Sequence, residues 1–486
     1  MSTNGAHPRR ISTGVAGFDE VLHGGLIPCR TYLLTGPPGG GKTTLGWHFL
    51  TAGVAAGERA LFVTFGEPQR ELCVNAKQSG FNTDGVEFCD LSPSSDLFEK
   101  IQSYDIFSAA EVELEPTTRS IIEAVERVKP NRVFIDSMTA LRYLAKDGPD
   151  FRRQTLSFLR YLLNAGACVM LTSEASPEAP DDDLRFLSDG VIELDPSSAT
   201  RTLKVTKMRG TDYEGGCHTL RLTDNGALVY PRLVPRQHSK EFSPELLQWG
   251  VQGLDSLTMG GLERATITLI TGPSGIGKTT VGMQFVKEAA RRGERSAAYT
   301  FDEARSTLLQ RCEAVGTRVN EMIDQGTLSV MGIEALQFSP DEFADMVRRD
   351  VEQNGTRIVM IDSISGYKLS LRGDDLTERL HALCRYLQNV GVTVILVNEV
   401  LDVTEFRITE VGLSYLADNV LFLRYIEKRF NSHAEIGRVV GVLKKRLSDF
   451  ERTIRTFELT PQGIAVGEPL GDFNGLFGSL AALGSP

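Results

Sequence analysis

Thr35-Gly-Pro-Pro-Gly-Gly-Gly-Lys-Thr-Thr44 decides the fold, because it contains the complete Gly-x-x-x-x-Gly-Lys-Thr pattern of a P-loop. An apolar run at residues 32–34 precedes it, and a helical pattern follows. This order of strand, glycine-rich loop and helix is the context in which the pattern binds phosphate. The glycines let backbone N–H groups converge on phosphate oxygens, and the start of the helix adds positive potential.

The same stretch recurs 236 residues later as Thr271-Gly-Pro-Ser-Gly-Ile-Gly-Lys-Thr-Thr280. Phe65-Gly-Glu67 and Phe301-Asp-Glu303 keep that spacing. Val-Phe-Ile-Asp136 and Val-Met-Ile-Asp362 lie 226 residues apart, which indicates a short deletion. So many motifs in one order predict two homologous domains.

Within each half, short runs rich in β-branched residues alternate with helical stretches. This alternation predicts an α/β fold with a mainly parallel central sheet and helices on both faces. Turn signals at 223–226 and 460–463 predict a closing hairpin in each half. Pro231 and Pro235 break regular structure between the halves. The predicted organisation is a first domain at 1–235, a linker at 236–240, a second domain at 241–466 and a loosely held tail at 467–486.

Composition narrows the class of protein. The 486 residues are 41% hydrophobic and 24% charged, which is typical of a globular chain. The net charge of −11 disfavours nucleic acid as a partner. No apolar run reaches the roughly 18 residues of a membrane span. The seven cysteines are scattered without a C-x-x-C pair, so we expect free thiols and a cytoplasmic location.

The two P-loops predict a site for ATP and Mg²⁺ in each half. Lys42 and Lys278 are expected between the β- and γ-phosphates, and the hydroxyls of Thr43 and Thr279 are expected on Mg²⁺. The predicted nucleotide-binding residues of the loops are Gly36, Gly39, Gly40, Gly41, Lys42, Thr43, Thr44, Gly272, Gly275, Ile276, Gly277, Lys278, Thr279 and Thr280.

Acidic residues follow two strands in each half. Asp136 and Asp362 end apolar runs, where a carboxylate reaches Mg²⁺ through its water shell, although an N-cap role for the next helix is the alternative. Glu67, Asp302 and Glu303 are candidates for orienting or deprotonating the attacking group. The alternative is that they are surface carboxylates at the start of a helix.

Basic residues end a late strand in each half, at Lys207-Met-Arg209 and Lys444-Lys-Arg446. One interpretation is a solvated edge, since lysine blunts exposed strands. The other is a contact with the nucleotide of a neighbouring subunit, as arginine fingers make. Recurrence in both halves favours the second interpretation.

The sequence resembles the KaiC family of RecA-superfamily ATPases in its double-domain form, from about residue 12 to about residue 466. The segments that carry the resemblance are the P-loops, both Asp-ending strands, the acidic motifs, Ser12-Thr-Gly-Val-Ala-Gly-Phe-Asp19, Lys207-Met-Arg-Gly210 and Leu416-Ala-Asp-Asn419. The resemblance implies two tandem RecA-like domains in a double-ring homo-hexamer with ATP at the subunit interfaces. It also implies a slow ATPase in the first domain and an autokinase and phosphatase in the second.

Further residues are assigned by this resemblance alone. Those contributed to a neighbour's nucleotide are Lys207, Met208, Arg209, Thr211, Tyr213, Lys444 and Arg446. The phosphoacceptor pair is Ser414 and Tyr415, where the family has threonine second, and the equivalent position in the first half is Arg185. The family has two adjacent glutamates where this chain has Gly66 and Glu67, so Glu67 must substitute or hydrolysis in the first domain is impaired. A KaiB-type partner is implied, whereas the short, uncharged tail disfavours KaiA-type stimulation.

The leading prediction is therefore an ATPase and serine autokinase. Two alternatives stay open from the residues themselves. One is a RecA-like ATPase that depends on nucleic acid, which the acidic charge and the lack of a basic, aromatic-rich segment disfavour. The other is a nucleotide-gated scaffold without kinase activity, for which Gly66 is the best support.

Overall fold

A computed structural model describes residues 9–92, 109–145, 147–174, 180–196, 200–373, 375–400, 416–429 and 434–470. The chain divides into two compact units between Arg232 and Leu233. Each unit contains a nine-stranded sheet with helices, so the predicted α/β class with two tandem RecA-like domains is confirmed. None of the helices over the described residues combines the length and the apolar character needed to cross a bilayer.

The first unit alternates strands and helices before it ends in antiparallel strands. Its strands are β1 (Thr31–Thr35), β2 (Ala60–Thr64), β3 (Val86–Asp90), β4 (Arg132–Asp136), β5 (Cys168–Ser173), β6 (Gly190–Asp195), β7 (Thr202–Met208), β8 (Cys217–Thr223) and β9 (Gly226–Tyr230). Its helices are α1 (Ala16–Val21), α2 (Lys42–Ala55), α3 (Gln69–Gln78), α4 (Ala109–Val128), α5 (Met138–Leu144), α6 (Gly148–Asn164) and α7 (Asp182–Leu187).

The second unit repeats this plan after a short two-stranded ribbon and a 3₁₀ turn at Pro235–Gln237. Its strands are β10 (Leu246–Leu247), β11 (Leu262–Glu263), β12 (Ile267–Gly272), β13 (Ser296–Thr300), β14 (Leu328–Gly332), β15 (Ile358–Asp362), β16 (Thr393–Glu399), β17 (Asn419–Arg429), β18 (Ala434–Lys445), β19 (Arg455–Thr460) and β20 (Gly463–Pro469). Its helices are α8 (Gln252–Leu257), α9 (Lys278–Arg291), α10 (Arg305–Ala314), α11 (Val319–Asp324), α12 (Pro340–Asn354), α13 (Ile364–Ser370) and α14 (Leu376–Asn389).

The two large sheets share one topology. Their strand orders are β3-β2-β4-β5-β1-β6-β7-β8-β9 and β14-β13-β15-β16-β12-β17-β18-β19-β20. The first six strands in each order are parallel, and the last pairings are antiparallel. Thr223 pairs with Gly226 and Thr460 with Gly463, so the predicted closing hairpins are confirmed. In both sheets the strand before the P-loop lies in the interior, and the carboxyl ends of its parallel neighbours meet beside the loop.

Helices cover both faces of the interior parallel strands, which explains why these strands are buried along their length, whereas β3 and β14 at the sheet edges alternate with exposed residues. All five residues of β1 and of β13 are buried. Leu34 packs into the cluster formed with α2, and Leu33 packs into the cluster on the opposite face with α6. Ile270 and Leu269 divide between two clusters in the same way. Each P-loop strand is therefore fixed from both sides.

Within the described residues, the first and last segments of the second unit make more backbone hydrogen bonds than the sequence predicts. The strand β20 extends to Pro469, which pairs with Arg455, and the Leu470 N–H donates to the Ile454 carbonyl at 2.8 Å. The first residues of the predicted tail therefore complete a sheet edge, because backbone pairing continues past the apolar pattern. At the start of the unit, the Lys240 N–H donates to the Asn389 carbonyl at 3.0 Å, so the predicted linker contacts the end of α14.

Candidate functional site

The two P-loops have the same geometry. Gly41 and Gly277 precede α2 and α9 with φ of 97° and 115°, a region that glycine adopts without strain.

In the first loop the Lys42 ammonium donates to the carbonyls of Gly36 at 2.8 Å and Pro37 at 3.1 Å. In the second, Lys278 donates to the Pro273 carbonyl at 2.8 Å. Both lysines are therefore held over the loop that would receive the phosphates.

Each P-loop lysine also faces a carboxylate that the sequence analysis missed. Glu174 follows β5, and its Oε1 lies 3.8 Å from the Lys42 Nζ. Glu399 ends β16, the matching strand of the second unit, which pairs with β12. Burial lowers the pKa of both lysines, and Glu174 and Glu399 are the strongest opposing influences on their respective lysine's pKa. The signal available in the sequence was an acidic residue within three positions of the end of each of these apolar runs.

A threonine and an aspartate meet at the base of each loop. The Thr43 hydroxyl donates to Asp136 Oδ2 at 2.7 Å, and the Thr279 hydroxyl donates to Asp362 Oδ2 at 2.6 Å. The N-cap positions of α5 and α13 are occupied by Ser137 and Ser363 instead, and the Ser363 hydroxyl accepts a hydrogen bond from the Gly366 N–H. The geometry therefore favours a site role for the two aspartates over the capping alternative.

The pairs of hydroxyl and carboxylate fit Mg²⁺. Both groups are hard oxygen donors, which this ion prefers, and Mg²⁺ is usually held by few protein ligands together with phosphate and water. No cluster of three or more metal-ligating side chains occurs among the described residues, as expected where a nucleotide completes the shell. Burial raises the pKa of Asp362 to about 6, and Asp302 adds to the rise although the Thr279 hydroxyl opposes it. A divalent cation beside Asp362 would favour its ionised form.

The acid pair of the second unit lies beside Asp362. Thr300, the last residue of β13, is in register with Asp362, and the Phe301 N–H donates to the Asp362 carbonyl at 2.8 Å. Asp302 packs against α13, because a Cβ on Gly366 would lie 2.3 Å from Asp302 Oδ1. Glu303 is paired with Arg311 of α10, at 2.6 Å between Oε1 and Nη2. The two carboxylates therefore have different surroundings.

The first unit lacks most of this arrangement. Gly66 stands where the second unit has Asp302, and no described atom lies within 4 Å of the place where its Cβ would be. Asn75 stands where the second unit has Arg311. Glu67 is exposed, and over the described part of the chain no hydrogen bond to its carboxylate is found. The first site has room for a second acid but does not contain one.

Each basic segment lies near the amino-terminal end of the parallel strands, whereas the P-loop of the same unit lies at their carboxyl end. Gly36 lies against the Leu194 carbonyl near the end of β6, whereas Met208 pairs with Gly190 at the start of that strand. Four residues of strand, about 13 Å, separate the two places. Lys207 donates to the carbonyls of Arg185 at 2.7 Å and Phe186 at 3.1 Å, away from the loop.

The second unit repeats this separation. Gly272 lies against the Leu423 carbonyl, and Lys445 pairs with Asn419 four residues earlier. Lys444 donates to the Ala417 carbonyl at 2.6 Å, and Arg446 pairs with Asp418 at 3.1 Å. Both basic segments are therefore held by their own unit at the opposite end of the strands from its P-loop.

The remaining residues assigned by resemblance do not join a P-loop either. Thr211 accepts a hydrogen bond from Arg10, and Tyr213 and Met208 pack against the core beside α1. Ser414 and Tyr415 lie outside the described residues. Arg185, the first-unit counterpart of Ser414, is paired with Asp181 and Glu193, so an ion-pair network occupies that position.

Comparison with known proteins identifies relatives over nearly the whole chain. The family model described as "ATPase: KaiC" matches twice, over residues 11–234 and 247–471. A circadian clock oscillator protein KaiC from Prochlorococcus marinus (strain MIT 9313) is 27% identical over 489 residues, which cover 96% of this chain and 95% of that protein. The protein of the same name from Picosynechococcus sp. is 28% identical over 487 residues, with coverage of 96% and 91%. That of Synechococcus elongatus is 26% identical over 484 residues, with coverage of 96% and 90%.

Proposed function

The chain belongs to the KaiC family of ATPases, and from this premise we propose that it is an ATP-driven switch with two unequal nucleotide sites. The chain forms a double-ring homo-hexamer that binds Mg-ATP between subunits. The second unit hydrolyses ATP slowly and transfers the γ-phosphoryl group to Ser414. One observation carries the proposal. Each unit has a Lys-Thr-Asp site at its P-loop, and four residues of strand separate that loop from the basic segment of the same unit.

The chemistry of the second site follows from its side chains. Lys278 would neutralise charge on the β- and γ-phosphates. Thr279 and Asp362 would hold Mg²⁺, and the bound ion would offset the charge that develops on the phosphoryl oxygens. Asp302 accepts a proton from the attacking hydroxyl of water or Ser414. The bond between the γ-phosphorus and its bridging oxygen breaks as the new P–O bond forms, and ADP leaves. Burial of Lys278 and Asp362 strengthens these electrostatic effects.

The distance of each basic segment from the P-loop of its own unit supports nucleotide sites shared between subunits. In a ring with head-to-tail interfaces, each subunit presents one surface to the next subunit and a different surface to the previous one. The P-loop side of one subunit can then meet the basic segment of its neighbour. Lys207 and Arg209 of one subunit would then reach the first site of its neighbour, and Lys444 and Arg446 would reach the second. Thr211 and Tyr213 come shortly after Lys207 and Arg209 in the chain and would approach the same neighbouring site.

We expect two inactive variants to restore each other's activity at the second site. Lys278→Ala removes the phosphate contact within a subunit, and Arg446→Ala removes the contact to the neighbour. An equal mixture that exchanges subunits should recover roughly a quarter of the second-site ATPase rate, because a random ring pairs an intact loop with an intact arginine at that share of its interfaces. A mixture no more active than its separate components would contradict sharing between subunits.

The kinase part is tested by incubation with Mg-ATP followed by mass spectrometry of the peptide that contains Ser414 and Tyr415. We expect phosphate on Ser414, none in Lys278→Ala, and none on that residue in Ser414→Ala. An unmodified peptide throughout would remove the kinase and leave an ATPase. Size measurement with and without Mg-ATP tests the hexamer in the same samples. A KaiB-type partner stays a prediction from the family.

A dependence on nucleic acid finds little support in the composition. The net charge of −11 repels the phosphate backbone of DNA or RNA. Stimulation of the ATPase rate by single-stranded DNA would favour this alternative over the switch.

A further inference from the structure

The second nucleotide site contains an arginine that the first one lacks. Arg311 lies in the last turn of α10, and its guanidinium reaches back to Glu303, just before the start of that helix. Its Nη2 lies 2.6 Å from Glu303 Oε1, and the two side chains are 49% and 20% exposed. Within the first unit, α3 has Asn75 at the matching position. The pairing is therefore a local difference between two otherwise parallel arrangements.

The charge of Arg311 affects the pKa of two residues at the centre of the second site. It contributes to lowering the pKa of the Lys278 ammonium, although burial is the main cause. It also lowers the pKa of the Asp362 carboxyl, against the rise that burial, Asp302 and Glu303 produce. An ion pair on the protein surface contributes little by itself. Here, however, the charge of Arg311 also acts on Lys278 and Asp362, which would contact the nucleotide and its metal ion.

A count of charged side chains shows what Arg311 offsets. The first site has one cation, Lys42, and three carboxylates: Glu67, Asp136 and Glu174. The second has two cations, Lys278 and Arg311, and four carboxylates: Asp302, Glu303, Asp362 and Glu399. Counting only these groups, both sites carry the same formal charge. The positive charge of Arg311 offsets the negative charge of the additional carboxylate. Without Arg311, that carboxylate would repel the phosphates of ATP.

We propose that Arg311 is a positioning residue of the second site, which holds Glu303 aside, leaves Asp302 alone to act on the attacking hydroxyl, and offsets the charge of the additional carboxylate. Glu303 is anchored at both ends, because the Thr300 hydroxyl donates to its backbone carbonyl at 3.2 Å while Arg311 binds its side chain. Without Arg311, the Glu303 carboxylate is free to turn toward Asp302 and the phosphates. The inference rests on the proposed ATPase activity of the second unit.

The test is a kinetic rescue in the full-length chain. Second-site turnover is the ATPase rate of each chain minus the rate that the Lys278→Ala chain retains. Arg311→Ala should raise the KM for ATP at this site about 5- to 10-fold and lower kcat by a smaller factor, because repulsion acts mainly on binding. Arg311→Lys should keep most of the affinity. Adding Glu303→Gln to Arg311→Ala should return KM to within about twofold of the parent value, because the uncompensated charge is then gone.

Matched controls separate this role from a structural one. Asn75→Ala alters the same helical position in the first unit and should leave second-site KM unchanged. A purely structural arginine would lower the melting temperature of the apo chain without a KM change that Glu303→Gln reverses. An unchanged KM in Arg311→Ala, or a double variant no better than the single one, overturns the inference while leaving the ATPase intact. No second-site turnover in the parent chain overturns the proposed function, and the inference with it.

Discussion

An Asp302→Asn chain should turn over ATP at the second site about 10²- to 10⁴-fold more slowly than the parent, the range that a positioned general base contributes. The amide keeps the shape of the carboxylate but cannot accept a proton. Asp302 is suited to this role, because it lies against α13 beside Asp362 and forms no ion pair among the described residues. The measurement is the steady-state ATPase rate after subtraction of the rate in Lys278→Ala.

ATP affinity separates loss of the base from loss of the site. Removing one negative charge near the phosphates should leave the KM of Asp302→Asn equal to or below that of the parent. Glu303→Gln is the matched control, since it removes a neighbouring carboxylate that Arg311 already holds. We expect it to lose less than about tenfold in rate. Equal losses in the two variants would contradict the assignment of Asp302.

A Gly66→Glu chain should gain ATPase activity in the first unit, by about 10²-fold or more if the added carboxylate reaches the position that Asp302 has in the second. The backbone permits the change, because Gly66 is not among the residues with positive φ and its Cβ would meet no described atom within 4 Å. Lys42, Thr43 and Asp136 already form the rest of the site. The added residue supplies the group that this site lacks.

The gain is measured in the Lys278→Ala background, where the remaining rate reports the first site alone. Gly66→Gln has nearly the same size and should give no comparable increase, because its amide cannot accept the proton. A rise in both variants would point to a change in loop conformation instead. No rise in Gly66→Glu, with ATP binding intact, would show that Glu67 already acts or that the first unit serves as a nucleotide-gated scaffold.

Much of the site could be predicted from the sequence because its chemistry is local. A P-loop encodes strand, turn and helix start in one continuous stretch, so Lys42 and Lys278 are recognisable without a structure. Asp136 and Asp362 were identified for a similar reason, as acids that end an apolar run. The capping alternative could not be settled by spacing alone, since the residue that follows each aspartate was an equally good cap. The side-chain hydrogen bonds from Thr43 and Thr279 favour the site role.

The sequence by itself determined that this protein has two P-loop domains, where their glycine-rich loops lie and how each domain closes, because these features depend on residues close together in the chain. Only the tertiary structure decided that Glu174 and Glu399 face the P-loop lysines, that Arg311 binds Glu303, and that the basic segments lie at the far edge of their own sheet. The order of strands in a parallel sheet differs from their order in the chain. Contacts between ends of such strands therefore arise from pairing and register, which no short motif records.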